Sequence, residues 1–325
     1  MCTAVSFMTK DHYFGRNLDL ECSFRENVTV TPRAYPFHFR CGKVLQEHYA
    51  MIGMATVANG YPLYYEATNE KGLSLAGLNF PGNAVYLPKD PEKDNITPFE
   101  LIPWILGQCS DVSEAKSLLN QQNLWNVSFS EDFPLSPLHW MLSDRSGSLV
   151  LEPMEDGLKI HDNPIGVLTN NPPFDYHMYR LTDFINLTNQ PPQNRFSDKI
   201  TLEKYGLGMG SIGLPGDMSS PSRFVKAAFT KLNSVCGQSE RESVSQFFHI
   251  LGSVTQQRGL TCVRPGEYEF TLYSSCCNTD KGIYYYTTYE NSRITAIDLY
   301  AEDLESDTLV CYPLRNEQDI RFENR

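Results

Sequence analysis

The second residue of this chain, Cys2, carries a thiol and stands directly behind the initiator Met1. Because a cysteine is small, methionine aminopeptidase can remove Met1, and the mature chain then begins with a cysteine that also has a free α-amine. An α-amine has a pKa of about 8 and a free thiol a pKa of about 8.5, so a proton passes between them near neutral pH at little cost. The position predicts an N-terminal nucleophile with its base in the same residue. Taken alone, however, Cys2 is more simply interpreted as a small residue without chemistry.

Two charged residues strengthen the catalytic interpretation. The segment FGRNLD at 14–19 places the guanidinium of Arg16 three residues from the carboxylate of Asp19. Arg16 can hold the thiol of Cys2 as a thiolate, because nearby positive charge favours the ionised form. Asp19 can accept hydrogen bonds from the α-amine and fix its orientation. Without Cys2, an Arg and an Asp at this spacing would be a surface pair that stabilises by less than about 1 kcal/mol.

Short strands are expected to position these residues. Cys2 precedes a β-branched and apolar run, and Arg16 and Asp19 end a second strand that would form a hairpin with the first. Further strands are predicted at 3–8, 28–31, 50–57, 73–78, 138–142, 148–152, 158–161, 268–274, 282–289 and 294–299. Capping boxes and a 3.6-residue apolar period predict helices from Thr97, at 111–121, 222–232 and 240–254. Two antiparallel groups of strands with helices between them predict an α+β fold of two stacked sheets covered by helices.

Composition indicates one large globular domain. The chain has 325 residues, of which 41% are hydrophobic and 20% charged, and no linker divides it. No apolar run reaches the roughly 18 to 20 residues that span a bilayer, and no secretory signal is recognisable. The net charge of −12 argues against nucleic acid binding, which needs clustered cations. An anionic substrate would have to be held by local cations and apolar surface.

The cysteine and histidine patterns argue against a metal or disulfide protein. The nine cysteines are an odd number without the spacing of a disulfide framework or zinc ribbon, which favours a reducing cytoplasm. The seven histidines form no HExxH motif. The adjacent Cys276 and Cys277 invite a redox interpretation, but packing residues are the simpler one. The GxGxxG match at 208–213 lacks the flanking strand and helix of a dinucleotide site and is predicted to be a loop.

Five motifs, including the two around Cys2 and Arg16, occur in the order found in one family. The chain resembles the conjugated bile acid hydrolases (choloylglycine hydrolases), which share a fold and superfamily with the penicillin V acylases. The resemblance extends essentially from end to end, through LHW at 138–140 and GIYYY at 282–286. The matching motifs are MCT at 1–3, FGRNLD at 14–19, GLNFPG at 77–82, LTNNP at 168–172 and SRF at 222–224.

The resemblance implies a four-layer αββα fold of the N-terminal-nucleophile type, formed by a single domain over 1–325. Removal of Met1 would uncover the catalytic cysteine, and no cofactor or metal is required. The water that hydrolyses the thioester would be activated by the same α-amine. The six implied catalytic residues are the nucleophile Cys2, its electrostatic partners Arg16 and Asp19, Asn79 and Asn170 in the oxyanion region, and Arg223 close to the thiol.

The implied reaction is hydrolysis of the amide that joins a bile acid to glycine or taurine. Phe24, Phe80 and nearby apolar loop residues could contact the steroid, although they are equally well explained as core. Penicillin V acylases tend to carry Tyr where this chain has Asn79, which favours bile acids, and GLG at 206–208 weakly favours glycine conjugates. Residues 188–217 resemble the family's protruding assembly loop, which implies a homotetramer. A penicillin V or N-acyl-homoserine-lactone acylase, and a non-catalytic bile-acid-binding or redox-sensing protein, remain alternatives.

Overall fold

Two large antiparallel sheets, both confirmed as predicted, dominate the structure, a computed structural model that describes residues 1–324. The strands, in chain order, are β1 Cys2–Met8, β2 His12–Leu20, β3 Asn27–Thr31, β4 Phe37–His38, β5 Val44–Leu45, β6 Met51–Ala58, β7 Tyr61–Asn69, β8 Ser74–Asn79, β9 Asp94–Ile96, β10 Gln122–Leu124, β11 Leu138–Asp144, β12 Gly147–Met154, β13 Gly157–Asp162, β14 Val167–Leu168, β15 Thr261–Arg264, β16 Glu267–Asn278, β17 Ile283–Thr288, β18 Thr295–Asp298 and β19 Val310–Pro313. The α-helices are α1 Leu101–Gln108, α2 Val112–Leu119, α3 Phe174–Arg180, α4 Ser220–Leu232 and α5 Glu240–Gly252.

The first sheet contains the N-terminal hairpin. Its strands follow the order β14-β1-β2-β16-β17-β18, and β15 pairs with β16. The register places Cys2 opposite Leu18 and Ala4 opposite Arg16. A Cβ atom at Gly15 would lie 2.0 Å from the carbonyl oxygen of Ser275, so only glycine lets β2 approach β16 this closely.

The second sheet lies against the first. Its strands follow the order β13-β12-β11-β8-β7-β6-β3-β19. Helices α1 and α2 cover its outer face, whereas α4 and α5 cover the outer face of the first sheet. Strand β1 is buried on both faces, as expected for a strand with a helix layer on one side and a sheet on the other. The α+β class and the αββα layering are therefore confirmed.

Most of the predicted elements are present. The Thr97 capping box opens a short 3₁₀ helix, Pro98–Glu100, that leads into α1. Among the strands and α-helices of the described chain, nine were not predicted: strands β4, β5, β7, β9, β10, β14, β15 and β19 and helix α3. Within residues 1–324, no helix combines the length and apolar character needed to cross a membrane.

The sequence features that could suggest nucleotide binding, redox chemistry or metal binding have no such arrangement in the described residues. Residues 208–213 form a loop with one short 3₁₀ turn, as predicted, and no strand leads into it. Cys276 and Cys277 lie on β16 and are almost completely buried as free thiols. In the described part of the chain, no three His, Cys, Asp or Glu side chains are grouped where they could hold a metal ion.

Candidate functional site

The thiol of Cys2 lies at the wall of a cavity of about 520 Å³. Cys2 begins β1 and is only 2% exposed. Residues of both sheets line the cavity, and its other walls are mainly apolar and aromatic. The cysteine that the sequence singled out is therefore accessible to a substrate that enters this cavity and to little else.

Arg16 lies on the same wall as Cys2 and is completely buried. Its Nη1 donates to the carbonyl oxygens of Gly77 (2.5 Å) and Tyr65 (3.1 Å), both in the opposite sheet. Its Nη2 is buried and has no hydrogen-bond partner. Burial opposes the charge of Arg16, but the neighbouring Cys2 thiol and other acidic groups raise its pKa above the usual value. A fixed positive charge therefore stands beside the thiol.

Asp19 is also buried, but its carboxylate contacts side chains of β16 and of the segment after α5 rather than the α-amine. Its oxygens accept hydrogen bonds from Thr271 Oγ1 (2.6 Å) and Gln256 Nε2 (3.3 Å). The α-amine of Met1 donates to the backbone carbonyl of Asp19 (2.7 Å) and pairs with the carboxylate of Glu269. Burial lowers the pKa of this α-amine. In the chain that retains Met1, Asp19 therefore contacts the amine through its backbone.

Asn170 is the group that contacts the nitrogen of Cys2 directly. Its Oδ1 accepts hydrogen bonds from Cys2 N and from Arg223 Nη2, both at 2.8 Å. Its Nδ2 donates to the backbone carbonyl of Asn79 (2.7 Å). Because an amide nitrogen has two N–H bonds, one donor remains for an anion. After loss of Met1, the new α-amine would lie at the Asn170 oxygen.

Arg223 comes from the first turn of α4, where Pro221 fixes the start of the helix. Its Nη1 donates to the carbonyl oxygen of Cys2 (2.5 Å) and to Thr3 Oγ1 (2.6 Å). Burial lowers the pKa of this guanidinium, and the neighbouring acidic groups offset the effect only in part. Arg223 thus fixes the backbone of Cys2 and the side chain of Asn170 together.

The two phenylalanines predicted to contact substrate differ in position. Phe24 is 45% exposed and lines the cavity. Phe80 does not line the cavity, which corrects the prediction. It is fully buried, and its ring stacks on that of His139 with 4.3 Å between centroids. Asn79, one residue earlier, ends β8 at the cavity wall.

Most of the cavity wall escaped the sequence analysis. These parts of the wall come from residues 129–136, a segment without helical or strand periodicity, and from the central strands β7, β8 and β11. Aromatic density between 129 and 140 was the available signal. The residues missed include Phe129, Asp132, Phe133, Leu135, Leu138, Trp140 and Tyr65.

A second group of missed residues fixes the backbone around Asn170. His139 Nε2 lies 2.9 Å from the carbonyl oxygen of Thr169, and His139 Nδ1 lies 3.3 Å from Glu152 Oε1. The backbone nitrogen of Asn170 donates to Ser220 Oγ (2.8 Å). These side chains hold Asn170 in place from three different elements.

The arrangement suits nucleophilic attack on a carbonyl that carries a large apolar group. The thiol of Cys2 supplies the nucleophile, and the buried charges of Arg16 and Arg223 favour anionic species next to it. The free N–H of Asn170 is a donor for an oxyanion. The apolar cavity accommodates the acyl side of the substrate and excludes water from it.

Comparisons with known proteins agree with this geometry. The chain is 57% identical over 317 residues to a bile salt hydrolase/transferase of Lactiplantibacillus plantarum, covering 98% of both chains. It is 39% identical to a bile salt hydrolase/transferase of Clostridium perfringens, covering 100% of both.

Solved structures show the same fold. A C2A mutant of conjugated bile acid hydrolase from Clostridium perfringens matches 100% of both chains with a TM-score of 0.91 and 38% identity. A penicillin V acylase from Agrobacterium tumefaciens matches 95% of this chain and 90% of its own with a TM-score of 0.72 and 20% identity. The N-terminal-nucleophile fold is thereby confirmed. The family model for linear amide C–N hydrolases of the choloylglycine hydrolase family matches residues 2–312, and the chain belongs to this family.

Proposed function

We propose that this protein hydrolyses the amide bond of glycine- or taurine-conjugated bile acids and releases the free bile acid and the amino acid. The observation that carries the proposal is the contact of Asn170 with both Arg223 and the nitrogen of Cys2, the residue that lines an apolar cavity. This contact brings the nucleophilic residue, the position of its future α-amine and the Asn170 donor for the oxyanion next to one another. The 57% identity to a bile salt hydrolase/transferase over almost the full length supports the substrate class.

The reaction begins with removal of Met1, which gives Cys2 a free α-amine. The thiolate of Cys2 attacks the amide carbonyl, and the carbonyl oxygen becomes an oxyanion that accepts a hydrogen bond from Asn170. The α-amine passes a proton to the departing amino acid, so that the C–N bond breaks and a thioester remains. The same amine then removes a proton from water, which hydrolyses the thioester and restores the thiol.

Four other residues of the site have a proposed role in this reaction. Arg16 places a buried positive charge next to the thiol, and Arg223 holds the backbone of Cys2. Asp19, whose backbone carbonyl accepts from the amine of Met1 before that residue is removed, orients the new α-amine of Cys2. Phe24 contributes to the wall that contacts the steroid. The amphipathic steroid suits this cavity because its walls are mainly apolar and include few polar groups, Asp132 among them.

The test measures the intact mass of the purified protein and, in the same samples, the release of glycine and cholate from glycocholate. The expected result is a chain that lacks Met1 and releases glycine, whereas Cys2→Ala releases none. Cys22→Ala is the matched control, because Cys22 is an exposed free thiol outside the cavity lining. Glycine release by Cys2→Ala, or a retained Met1 without turnover, would contradict the mechanism.

Assays with several substrates in parallel identify the acyl group that the enzyme accepts. Turnover of penicillin V or an acyl-homoserine lactone in place of bile acid conjugates would assign the same machinery to the acylase reaction. Ligand binding without turnover would indicate a binding protein. Glycocholate and taurocholate should both be cleaved, with glycocholate favoured.

We also propose that the protein acts in the cytoplasm as a homotetramer assembled through residues 188–217. Free cysteines at all nine positions suit a reducing compartment. Phe196, Tyr205 and Leu207 are between 82% and 97% exposed, which suits a surface covered by another copy. Light scattering after chromatography should give four chains for the protein and fewer for a triple Ser variant of these residues.

A further inference from the structure

Glu66 is a buried carboxylate directly behind Arg16, on the side away from the cavity. It lies on β7 of the second sheet and is 2% exposed. Its Oε2 is 3.8 Å from Arg16 Nη1, across the space between the two sheets. Cys2 and Arg16 line the cavity, whereas Glu66 does not. Arg16 is therefore placed between the thiol and a second acidic group.

Three hydroxyl groups of the first sheet donate hydrogen bonds to Glu66. They are Tyr273 OH (2.7 Å), Tyr284 OH (2.5 Å) and Ser275 Oγ (3.0 Å). Burial raises the pKa of both tyrosines well above the usual value, so both remain donors. Ser275 Oγ accepts from the backbone nitrogen of Arg16, which leaves its own proton for Glu66.

Arg16 and the three hydroxyl groups favour the ionised form of Glu66. Burial raises the pKa of Glu66, and these four groups oppose that effect only in part. An ionised carboxyl group only accepts hydrogen bonds, and each of the three hydroxyls can donate one. The guanidinium of Arg16, 3.8 Å away, adds a positive charge that favours the carboxylate.

Arg16 in turn needs a counterion. A fully buried guanidinium without a partner charge is strongly destabilising, and the two carbonyl oxygens that hold Nη1 are neutral. The carboxylate of Asp19 is already held by Thr271 and Gln256. Glu66 is thus the carboxylate within ion-pair distance of Arg16 among the described residues.

We propose that Glu66 is a positioning residue that anchors Arg16 and, as its counterion, limits the positive field that Arg16 exerts on the Cys2 thiol. The inference rests on the proposed role of Cys2 as nucleophile but not on the identity of the acyl group. The field at the thiol is then set by two charges, one on each sheet. Loss of the negative charge should make the thiol ionise at lower pH.

The test is the rate of Cys2 alkylation by iodoacetamide as a function of pH, followed by the mass of the N-terminal peptide. Glu66→Gln keeps the size of the side chain and removes its charge. We expect the midpoint of the pH–rate curve to move to lower pH by about half a unit to one unit. Tyr284→Phe is the matched control, because it removes one hydrogen bond from Glu66 and leaves the carboxylate in place; its midpoint should not fall.

An unchanged or raised midpoint in Glu66→Gln would overturn the proposal, since a merely structural role predicts loss of stability without that shift. If Glu66→Gln does not fold, the comparison is made between Arg16→Leu and the double variant Arg16→Leu/Glu66→Gln. The double variant should fold and should be at least as stable to urea as Arg16→Leu, because no unpaired charge remains. A double variant that does not fold, or that is less stable than Arg16→Leu, would contradict the pairing.

The alkylation assay contains no bile acid. A failure of bile acid turnover therefore leaves its result interpretable, and a failure of the midpoint to move leaves the proposed hydrolysis untouched.

Discussion

Replacement of Asn170 by Ala tests the central contact of the site. The change removes an acceptor for Cys2 N and Arg223 Nη2 and a donor to the carbonyl of Asn79. It also removes the second N–H, which is the proposed oxyanion donor. Loss of one such donor typically lowers kcat by about 10² to 10³. Because Asn170 does not line the acyl cavity, KM for glycocholate should change little.

Asn170→Ala should affect the free energy of unfolding less strongly than it affects kcat. The Ala variant leaves the Cys2 nitrogen and the Asn79 carbonyl without this partner, while Arg223 keeps the carbonyl of Cys2 and Thr3 Oγ1. Unsatisfied buried polar groups cost about 1–3 kcal/mol, so the free energy of unfolding should drop by that amount.

The next residue supplies the control. Asn171 donates through Nδ2 to the carbonyl of Pro81 (2.6 Å) in an exposed position and contacts neither Cys2 nor Arg223. Asn171→Ala should retain kcat within about threefold, since exposed substitutions have small effects. The assay is steady-state release of glycine, with urea unfolding of each variant. A raised KM at unchanged kcat in Asn170→Ala, or an equal loss in Asn171→Ala, would refute the assigned role.

Four further variants probe the cavity, the pH response and the support of the site. Phe24→Ala should raise KM and leave stability nearly unchanged, whereas Phe80→Ala should lower the free energy of unfolding by about 3–5 kcal/mol in urea titrations. Burial lowers the pKa of His12 to about 4, so the unfolded chain takes up a proton that the folded chain does not as pH falls from about 6.5 toward 4. Unfolding at pH 5 should therefore be easier by about 2 kcal/mol than at pH 7 from this group alone, and His12→Gln should remove that difference. Glu152→Gln deprives the buried His139 ring of its carboxylate and should cost about 3 kcal/mol of stability and about tenfold in kcat, measured by urea titration and glycine release.

The sequence could predict the part of the site that is local. Cys2, Arg16 and Asp19 lie on one hairpin, and its register follows from the two strands and the turn between them. Asn170 and Arg223 were predicted only through the family resemblance. They reach Cys2 because β14 pairs with β1, with Leu168 opposite Ala4, and because α4 packs over that strand. Pairings across more than 150 residues leave no local pattern in the sequence.

Glu66 illustrates why the remaining residues could not be predicted. The second residue of strand β7 is Pro62, and the charged Glu66 lies near its centre. Both features argue against a buried strand. The charge is acceptable there only because Arg16 and three hydroxyls come from the other sheet. Phe80 was predicted to contact the steroid but lies in the core. An aromatic residue next to a site residue fits a pocket wall and a core equally well, so the sequence could not decide between them.

The charges around Cys2 also explain how a protein of net charge −12 can act on an anionic substrate. Its long-range field repels a bile acid conjugate, so association gains nothing from steering. Arg16 and Arg223, however, are completely buried and held largely by neutral oxygens, so solvent screens their charges little. Both charges lie next to Cys2, where the proposed thiolate and oxyanion form. The charges of this protein therefore stabilise the thiolate and the oxyanion and do not speed the association of the substrate.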